Sequence, residues 1–248
     1  MFPRFYYAEA LRTGCVIELP LNTRHHATRV LRLKQGNIVT LFNGKGGEFH
    51  AQIEHISKTR TTVKIDEHCE IERESPLTLA LVQAICTSEK MDWIIQKSVE
   101  FGTSYIQPVI TKRSVVRLSA ERARKRHQHW QQVVIAACEQ CGRNRIPEIL
   151  PLQSLSDWFD NKRTAKTFQQ HFLMLSTTAT KRLKDFPSLS PDNKITLLVG
   201  PEGGLTPEEE AAALYAGFSS IRMGKRILRT ESAALATIAA MQAIWGDY

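Results

Sequence analysis

Two stretches near the carboxyl end hold the residues with the most chemical content. The first runs Ile195-Thr196-Leu197-Leu198-Val199 into Gly200-Pro201-Glu202-Gly203-Gly204 and on to Leu205-Thr206-Pro207-Glu208-Glu209-Glu210. The second runs Ile221-Arg222-Met223 into Gly224-Lys225-Arg226-Ile227-Leu228-Arg229 and on to Thr230-Glu231-Ser232-Ala233. Each reads as an apolar strand, a glycine-bearing turn and a helix. The glycines Gly200, Gly203 and Gly204 let backbone N–H and C=O groups come close to a ligand or to a second loop. Thr206 at the N-cap, Pro207 at N1 and Glu209 at N3 predict a capping box. Glu208, Glu209 and Glu210 satisfy the helix dipole and repel a phosphate from that helix end. The turn is therefore either a nucleotide-type loop for a ligand without a phosphate tail or only a tight turn. Neither stretch matches GxGxxG or GxxxxGK[ST]. In the second stretch Thr230 reads as an N-cap and Glu231 as a first-turn carboxylate. Arg229, always charged, is left without such an account.

A net charge of +8 points to a polyanionic partner. Lys112, Arg113, Arg117, Arg122, Arg124, Lys125 and Arg126 form a dense cluster opposed only by Glu121, enough to neutralise several phosphates. The competing account is the solvated face of a helix beginning near Ser119. His25 and His26 are either surface histidines or RNA contacts. Glu139 with Arg143, and Lys97 with Glu100, have spacings that fit simple surface pairs on helices. Arg143-Asn144-Arg145 lies where RNA contact is the alternative. Cys138 and Cys141 have CxxC spacing but no second pair or suitably spaced histidines, so core packing is expected and no metal. No apolar run reaches the roughly 18 to 20 residues that span a bilayer. The start, Met1 to Tyr7, lacks the apolar core of a signal peptide, and five cysteines then read as reduced thiols of a cytoplasmic protein.

The elements that must position these residues fall into two rhythms. Residues 1–72 read as short strands, Val39 to Phe42, Phe49 to Ile56 and Thr61 to Ile65, with Asn43 to Gly47 as a hairpin turn and one helical stretch, Arg24 to Leu33. That is the pattern of a small β-barrel. A polar run ending in Pro76 marks the boundary, and residues 73–248 alternate strand and helix. Strands are expected at Leu77 to Ile85, Tyr105 to Ile110, Phe172 to Leu175, Ile195 to Val199 and Ser219 to Met223. Helices are expected from Ser88 to Phe101, from a Ser119 cap to Cys141 before Gly142, and from Thr230 to Trp245. The pattern is α/β, a mainly parallel sheet with helices on both faces. Ligands in such sheets bind beyond the strands' carboxyl ends, where both glycine turns lie.

On these residues the chain resembles the bacterial 16S ribosomal-RNA uridine-N3 methyltransferases (RsmE type) of the SPOUT, or trefoil-knot, class. The resemblance spans the chain: Arg4-Phe5, His26 with Val30-Leu31-Arg32, Lys90, Gln96-Lys97 to Gly102, Glu139 to Arg143 with Ile146-Pro147, and above all Gly200 to Gly204 with Glu209, and Gly224 to Ala233. Phe101, Met223 and Ser232 depart from the residues usual in the family, at positions carrying neither charge nor glycine. The resemblance implies a PUA-like RNA-binding barrel at 1–72 and a knotted methyltransferase domain at 73–248. It implies S-adenosylmethionine held by Leu175, Thr177, Val199, Gly200, Gly203, Gly204, Met223, Gly224, Ile227 and Leu228. Methyl transfer to uracil N3 requires loss of the N3 proton, so Arg229 is expected to stabilise the developing anion and Glu202 or Glu231 to act as base. Arg4, His26, Arg29, Arg32, Arg113, Arg117 and Arg143 are expected at RNA, with 16S ribosomal RNA in the small subunit as substrate and a homodimer, paired through the alanine-rich last helix, as the active form. A non-catalytic RNA-binding factor and a ribose 2′-O-methyltransferase on the same scaffold are the alternatives.

Overall fold

The computed structural model describes residues 2–116, 118–162, 170–187 and 194–248. The chain divides into two compact units, residues 1–74 with 138–146, and residues 75–137 with 147–248.

The first unit is a five-stranded sheet in the order β1-β3-β4-β5-β2. Its strands are β1 (Arg4–Tyr6), β2 (Val16–Glu18), β3 (Ile38–Phe42), β4 (Glu48–Ile56) and β5 (Thr61–Cys69). The strands β1 and β2, each of three residues, were not anticipated; they are too short to show an alternating pattern. The expected hairpin at Asn43 to Gly47 is present: β3 and β4 pair antiparallel, and Asn43 Oδ1 accepts from the Lys45 N–H at 3.1 Å. The helical stretch is one turn of α1 (Leu21–His25) continuing as a π-helical turn, His26–Val30. Alternate strand residues, among them Val39, Leu41, Ala51, Ile53, Val63 and Ile65, close one apolar core with Phe5 and Leu19.

A buried charge network lies behind that sheet. Arg4 donates to Glu48 Oε2 at 2.5 Å and to Asn144 Oδ1 at 2.5 Å. Arg73 donates to the same Glu48 oxygen at 2.8 Å and to the Gly142 carbonyl at 3.0 Å. Asn144 Nδ2 reaches the Ile71 carbonyl at 2.6 Å, and Arg143 pairs with Glu74. Arg4 and Arg143, expected at RNA phosphates, are thus spent inside the protein, their side chains 4% and 5% exposed. Nor does Arg143 pair with Glu139, whose Oε1 accepts from the Tyr6 N–H at 2.9 Å; burial pushes the Glu139 carboxyl up. Isolated charges do not survive such burial, so Arg4, Arg143 and Glu48 are each paired and hydrogen-bonded.

The second unit holds a sheet whose main path runs β12-β10-β11-β6-β7-β8, with β9 beside β7. Its strands are β6 (Thr78–Ala84), β7 (Tyr105–Ile110), β8 (Glu148–Ile149), β9 (Gln153–Ser154), β10 (Gln170–Leu175), β11 (Lys194–Val199) and β12 (Ser219–Ile221). Every pairing is parallel, as expected. The helices are α2 (Ser88–Glu100), α3 (Ala120–Cys141), α4 (Leu155–Lys162), α5 (Pro207–Tyr215) and α6 (Thr230–Trp245). Sequence caps hold at α3, where Ser119 Oγ accepts from the Arg122 N–H at 3.4 Å and Gly142 leaves the last turn at φ 89°. They also hold at α5, where Thr206 and Glu209 form the reciprocal box behind Pro207. Two helix starts shift by one residue: Thr87 and Arg229 stand at the N-cap positions of α2 and α6, and neither side chain accepts a capping bond. Gln242 anchors α6, accepting from Ser75 Oγ and donating to the Phe101 carbonyl, both at 2.7 Å.

The Glu48 carboxyl sits at about 2, below its ordinary 4.5; burial alone pushes it up, but bonds from Arg73, Arg4 and Asn144 outweigh that. A depressed carboxyl stabilises the fold above its unfolded pKa, and that contribution is lost as pH falls from about 4.5 towards 2. Glu48→Gln should therefore lower stability at neutral pH by about 3–5 kcal/mol, since it leaves the buried Arg4 without its counter-charge, and should flatten the acid limb in that window. Urea unfolding at a series of pH values checks both; an unchanged acid limb would refute the assignment.

Candidate active site

Three strand ends deliver the site. β10 lies between β11 and β12, with Met174 opposite Leu198 and Leu175 opposite Ile221. The chain leaves β10, returns on one side as β11 and then on the other as β12, so the loops after all three open at one edge. This is the switch-point geometry that makes crevices in parallel sheets. The loops are tied together: the Ser176 N–H donates to the Ile221 carbonyl at 3.0 Å, and the Arg222 N–H to the Lys181 carbonyl at 2.9 Å.

Between them lies a cavity of about 690 Å³, the size of a small-molecule site. From the first loop it is lined by Leu175 and Thr177. From the second come Val199, Gly200, Glu202, Gly203 and Gly204. From the third come Met223, Gly224, Ile227, Leu228 and Arg229. Every residue expected to hold the ligand is on this wall. Glu231 is not, but its carboxylate lies 3.6 Å from Lys90 Nζ, and Glu202 lies 3.3 Å from the same nitrogen. Lys90 therefore joins both candidate bases, a role its position alone did not signal. Burial pushes the Glu202 carboxyl up, yet its own N–H, Lys90 and the Thr87 N–H outweigh this and hold it below the ordinary range.

The second loop is held by contacts that explain its glycines. A Cβ on Gly200 would stand 3.1 Å from the Leu205 nitrogen and 3.2 Å from the Gly204 carbonyl carbon, so the loop closes on its own backbone there. Gly204 instead needs its φ of +69°, with open space where a Cβ would be. Crowding is thus at Gly200, not at Gly204. Thr230 is not the α6 cap because its hydroxyl is used elsewhere: it donates to the Gly200 carbonyl at 2.7 Å and accepts from the buried Gln83 Nε2 at 3.2 Å. The relay joins the end of β6, the start of α6 and the glycine loop.

Arg113, expected at RNA, donates to the Gly203 and Leu205 carbonyls at 3.0 and 3.1 Å, and so braces the loop. Lys112 adds its N–H to Glu209 Oε1 at 2.7 Å. Arg117 lies outside the described residues. His26, Arg29 and Arg32 are exposed on the first unit, with Arg32 at φ 53°. The wall is not as hostile to anions as the three glutamates of α5 suggested: Glu202 and Glu210 face Lys90, Arg113, Arg222, Lys225, Arg226 and Arg229. Lys225, Arg226 and Arg229 are exposed. Lys225 and Arg226 were missed as candidates, although they stand next to the glycine that drew attention to this turn.

A parallel α/β unit with a glycine-walled cavity at its switch point, carrying a carboxylate pair, a bridging lysine and an exposed basic loop, defines a class of enzyme that brings a small co-substrate to a polyanion. The family models agree in kind: one for an RNA methyltransferase domain matches residues 73–242, and one for an RNA methyltransferase PUA domain matches residues 22–66. The chain belongs to this RNA methyltransferase family. It is 35% identical over 99% of its length, and 97% of the relative's, to the ribosomal RNA small subunit methyltransferase E of Buchnera aphidicola subsp. Schizaphis graminum. Its fold matches that of a ribosomal RNA small subunit methyltransferase E from Neisseria gonorrhoeae bound to S-adenosyl methionine, with TM-score 0.91, 42% identity and full coverage of both chains. A Legionella pneumophila chain solved in complex with its bound cofactor SAM matches at TM-score 0.92 and 37% identity, again over both full lengths.

Thr230→Val keeps the shape of the side chain but removes the donor to Gly200 and the acceptor for Gln83. Gln83 Nε2 keeps its bond to the Ala84 carbonyl at 3.0 Å, but the Gly200 carbonyl loses its donor, which should destabilise the protein by about 1–3 kcal/mol. Chemical denaturation checks this, and a loss well under 0.5 kcal/mol would mean the relay is not holding the loop.

Proposed function

We propose that this protein uses S-adenosylmethionine to methylate N3 of a uridine in small-subunit ribosomal RNA. The observation that carries the reading is the three-loop cavity, in a chain 42% identical over its full length to a gonococcal methyltransferase solved with S-adenosyl methionine. The residues fit such a ligand. It has an adenosine but no phosphate, and the wall offers apolar Leu175, Val199, Ile227 and Leu228 beside the glycine backbone. When bound it supplies an electrophilic methyl group on a sulfonium.

The chain's own residues supply position and proton handling. The Gly200 to Gly204 and Met223 to Leu228 backbones hold the ligand, and Arg113 and Thr230 hold the first of these loops. Arg229, exposed on the wall, stabilises the uracil anion that forms as N3 loses its proton. One of the two carboxylates joined through Lys90, Glu202 or Glu231, takes that proton. N3–H is on the Watson–Crick edge, so the target uridine is presented unpaired or flipped out. His26, Arg29 and Arg32, with Lys225 and Arg226, contact the RNA backbone. The last helix is the threaded segment of the knot that the resemblance implies. Its outward Ala236, Ala243 and half-exposed Ile244 pack against a second copy in a homodimer. No helix among the described residues is long and apolar enough to cross a membrane; with all five cysteines free, a cytoplasmic setting fits the substrate.

The reading is tested by methyl transfer to undermethylated small ribosomal subunits, with the modified nucleoside identified by mass and the enzyme sedimented under assay conditions. N3-methyluridine made by a dimer is the expected result. A 2′-O-methyl product, or full activity in a single-chain particle, would overturn the corresponding part. If Glu202 is the base, Lys90→Met removes partners that depress its carboxyl, so the acid limb of the pH–rate profile should move to higher pH; a limb that stays put excludes Glu202. Replacing Arg29 and Arg32 with alanine should flatten the dependence of log RNA affinity on log salt by about two units, roughly one per lost phosphate contact. An unchanged slope would show that these arginines face only solvent.

A further inference from the structure

The sheet of the first unit carries a group of side chains that the transferase reading does not use. β4 and β5 pair antiparallel, with His50 opposite Glu67 and Glu48 opposite Cys69. Glu67 and Cys69 are two residues apart on one strand and so share a face, and His50 stands across from them on that face. We propose that His50, Glu67 and Cys69 form a binding site for a borderline-soft divalent metal ion of the zinc type.

The geometry is close to what such an ion needs. His50 Nδ1 lies 3.8 Å from Cys69 Sγ and 3.9 Å from Glu67 Oε2, and the three ligand atoms all fall within 4.8 Å of one another. Tetrahedral zinc, with bonds of about 2.0 to 2.3 Å, separates its ligands by roughly 3.3 to 3.8 Å. The two His50 distances need about half an ångström of adjustment or less, and the Glu67–Cys69 pair, within 4.8 Å, closes by rotation of the exposed Glu67 side chain. The residues are half-buried, exposed and half-buried in turn, which leaves water access to a fourth position. The Phe2 ring stands edge-on to His50, its centroid 5.8 Å away, and limits the imidazole on that side.

A bulge makes the arrangement. The register steps from His50 opposite Glu67 to Ala51 opposite Ile65, which leaves Asp66 without an opposite residue. In an unbroken ladder Asp66 would face His50 and bring His68 to that face in place of Cys69. Bulges re-aim side chains in this way. The donor set selects the ion: thiolate and imidazole favour zinc-like metals, whereas magnesium and calcium prefer an all-oxygen shell. The nearby Glu48 is no competitor, because Arg4 and Arg73 already hold its carboxylate.

The site is independent of the proposed methyl transfer, and its test needs no substrate. The full-length protein would be titrated with zinc in a calorimeter and with cobalt in an absorption cell. One equivalent of zinc should bind, and cobalt should give a thiolate-to-metal charge-transfer band in the near ultraviolet. Cys69→Ser should abolish that band, and His50→Ala should weaken zinc at least about tenfold, since losing even an outer-shell partner of a metal costs that much. Both positions are surface-accessible, so the metal-free variants should melt like the metal-free wild type, while the rise in melting temperature caused by zinc should vanish in them. No stoichiometric zinc binding in the wild type would overturn the proposal. So would a cobalt band that survives Cys69→Ser, because the thiol involved would then be one of the other four.

Discussion

The hydroxyl of Thr230 is the point on which the second unit turns. It is one group with two bonds, and they join three segments far apart in the chain: Gln83 at the end of β6, Gly200 after β11 and the first residue of α6. The bonds lie among buried atoms, where an unmet donor or acceptor costs more than a made bond returns. The relay therefore specifies an arrangement more than it adds stability. With the Gly200 carbonyl fixed, the loop can close tightly enough that only glycine fits. With the start of α6 tied to the same hydroxyl, the Met223 to Arg229 turn before it forms the opposite wall. The cavity is what remains between the two.

The first unit is organised by a different constraint, the cost of burying charge. Arg73 and Glu74 are drawn with Asn144 to the buried Arg4, Arg143 and Glu48, because those three charges are not tolerable alone. The segment 138–146, the last turn of α3 and the residues after it, counts with this unit, although the rest of α3 belongs to the other. The network supplies the reason: Arg143 and Asn144 complete it. Charges that the sequence presents as an RNA-facing surface are thus partly internal, and the basic surface that remains is carried by other arginines and lysines.

What could be read from the sequence is what depends on near neighbours. The capping box of Thr206 and Glu209, the Ser119 cap and the glycine that ends α3 span three or four residues and obey local rules, and all are found. The apolar runs at β6 and β11 read correctly because strands buried on both faces need no partner to be recognised. The failures share one cause. Thr230 fits a cap by local rules, but a tertiary bond claims it. Arg113 looks like part of a basic cluster, but two carbonyls claim it. Lys90 has no local signature at all, because the two carboxylates it joins come from 112 and 141 residues further on. His50, Glu67 and Cys69 face one another only through a bulge, which no pattern of alternation announces.

The span of the Thr230 relay also bears on how the molecule is made. Its Gln83 bond closes a separation of 147 residues, and the sheet it supports is parallel throughout, so few of its contacts are local. Loop closure on that scale is the slow part of folding. Local contacts can form β6, α2 and β7 early, but the walls of the cavity cannot meet until the start of α6 has docked against Gln83 and Gly200. Competence to hold a ligand therefore depends on long-range closure and not on local secondary structure, which can form before the walls meet.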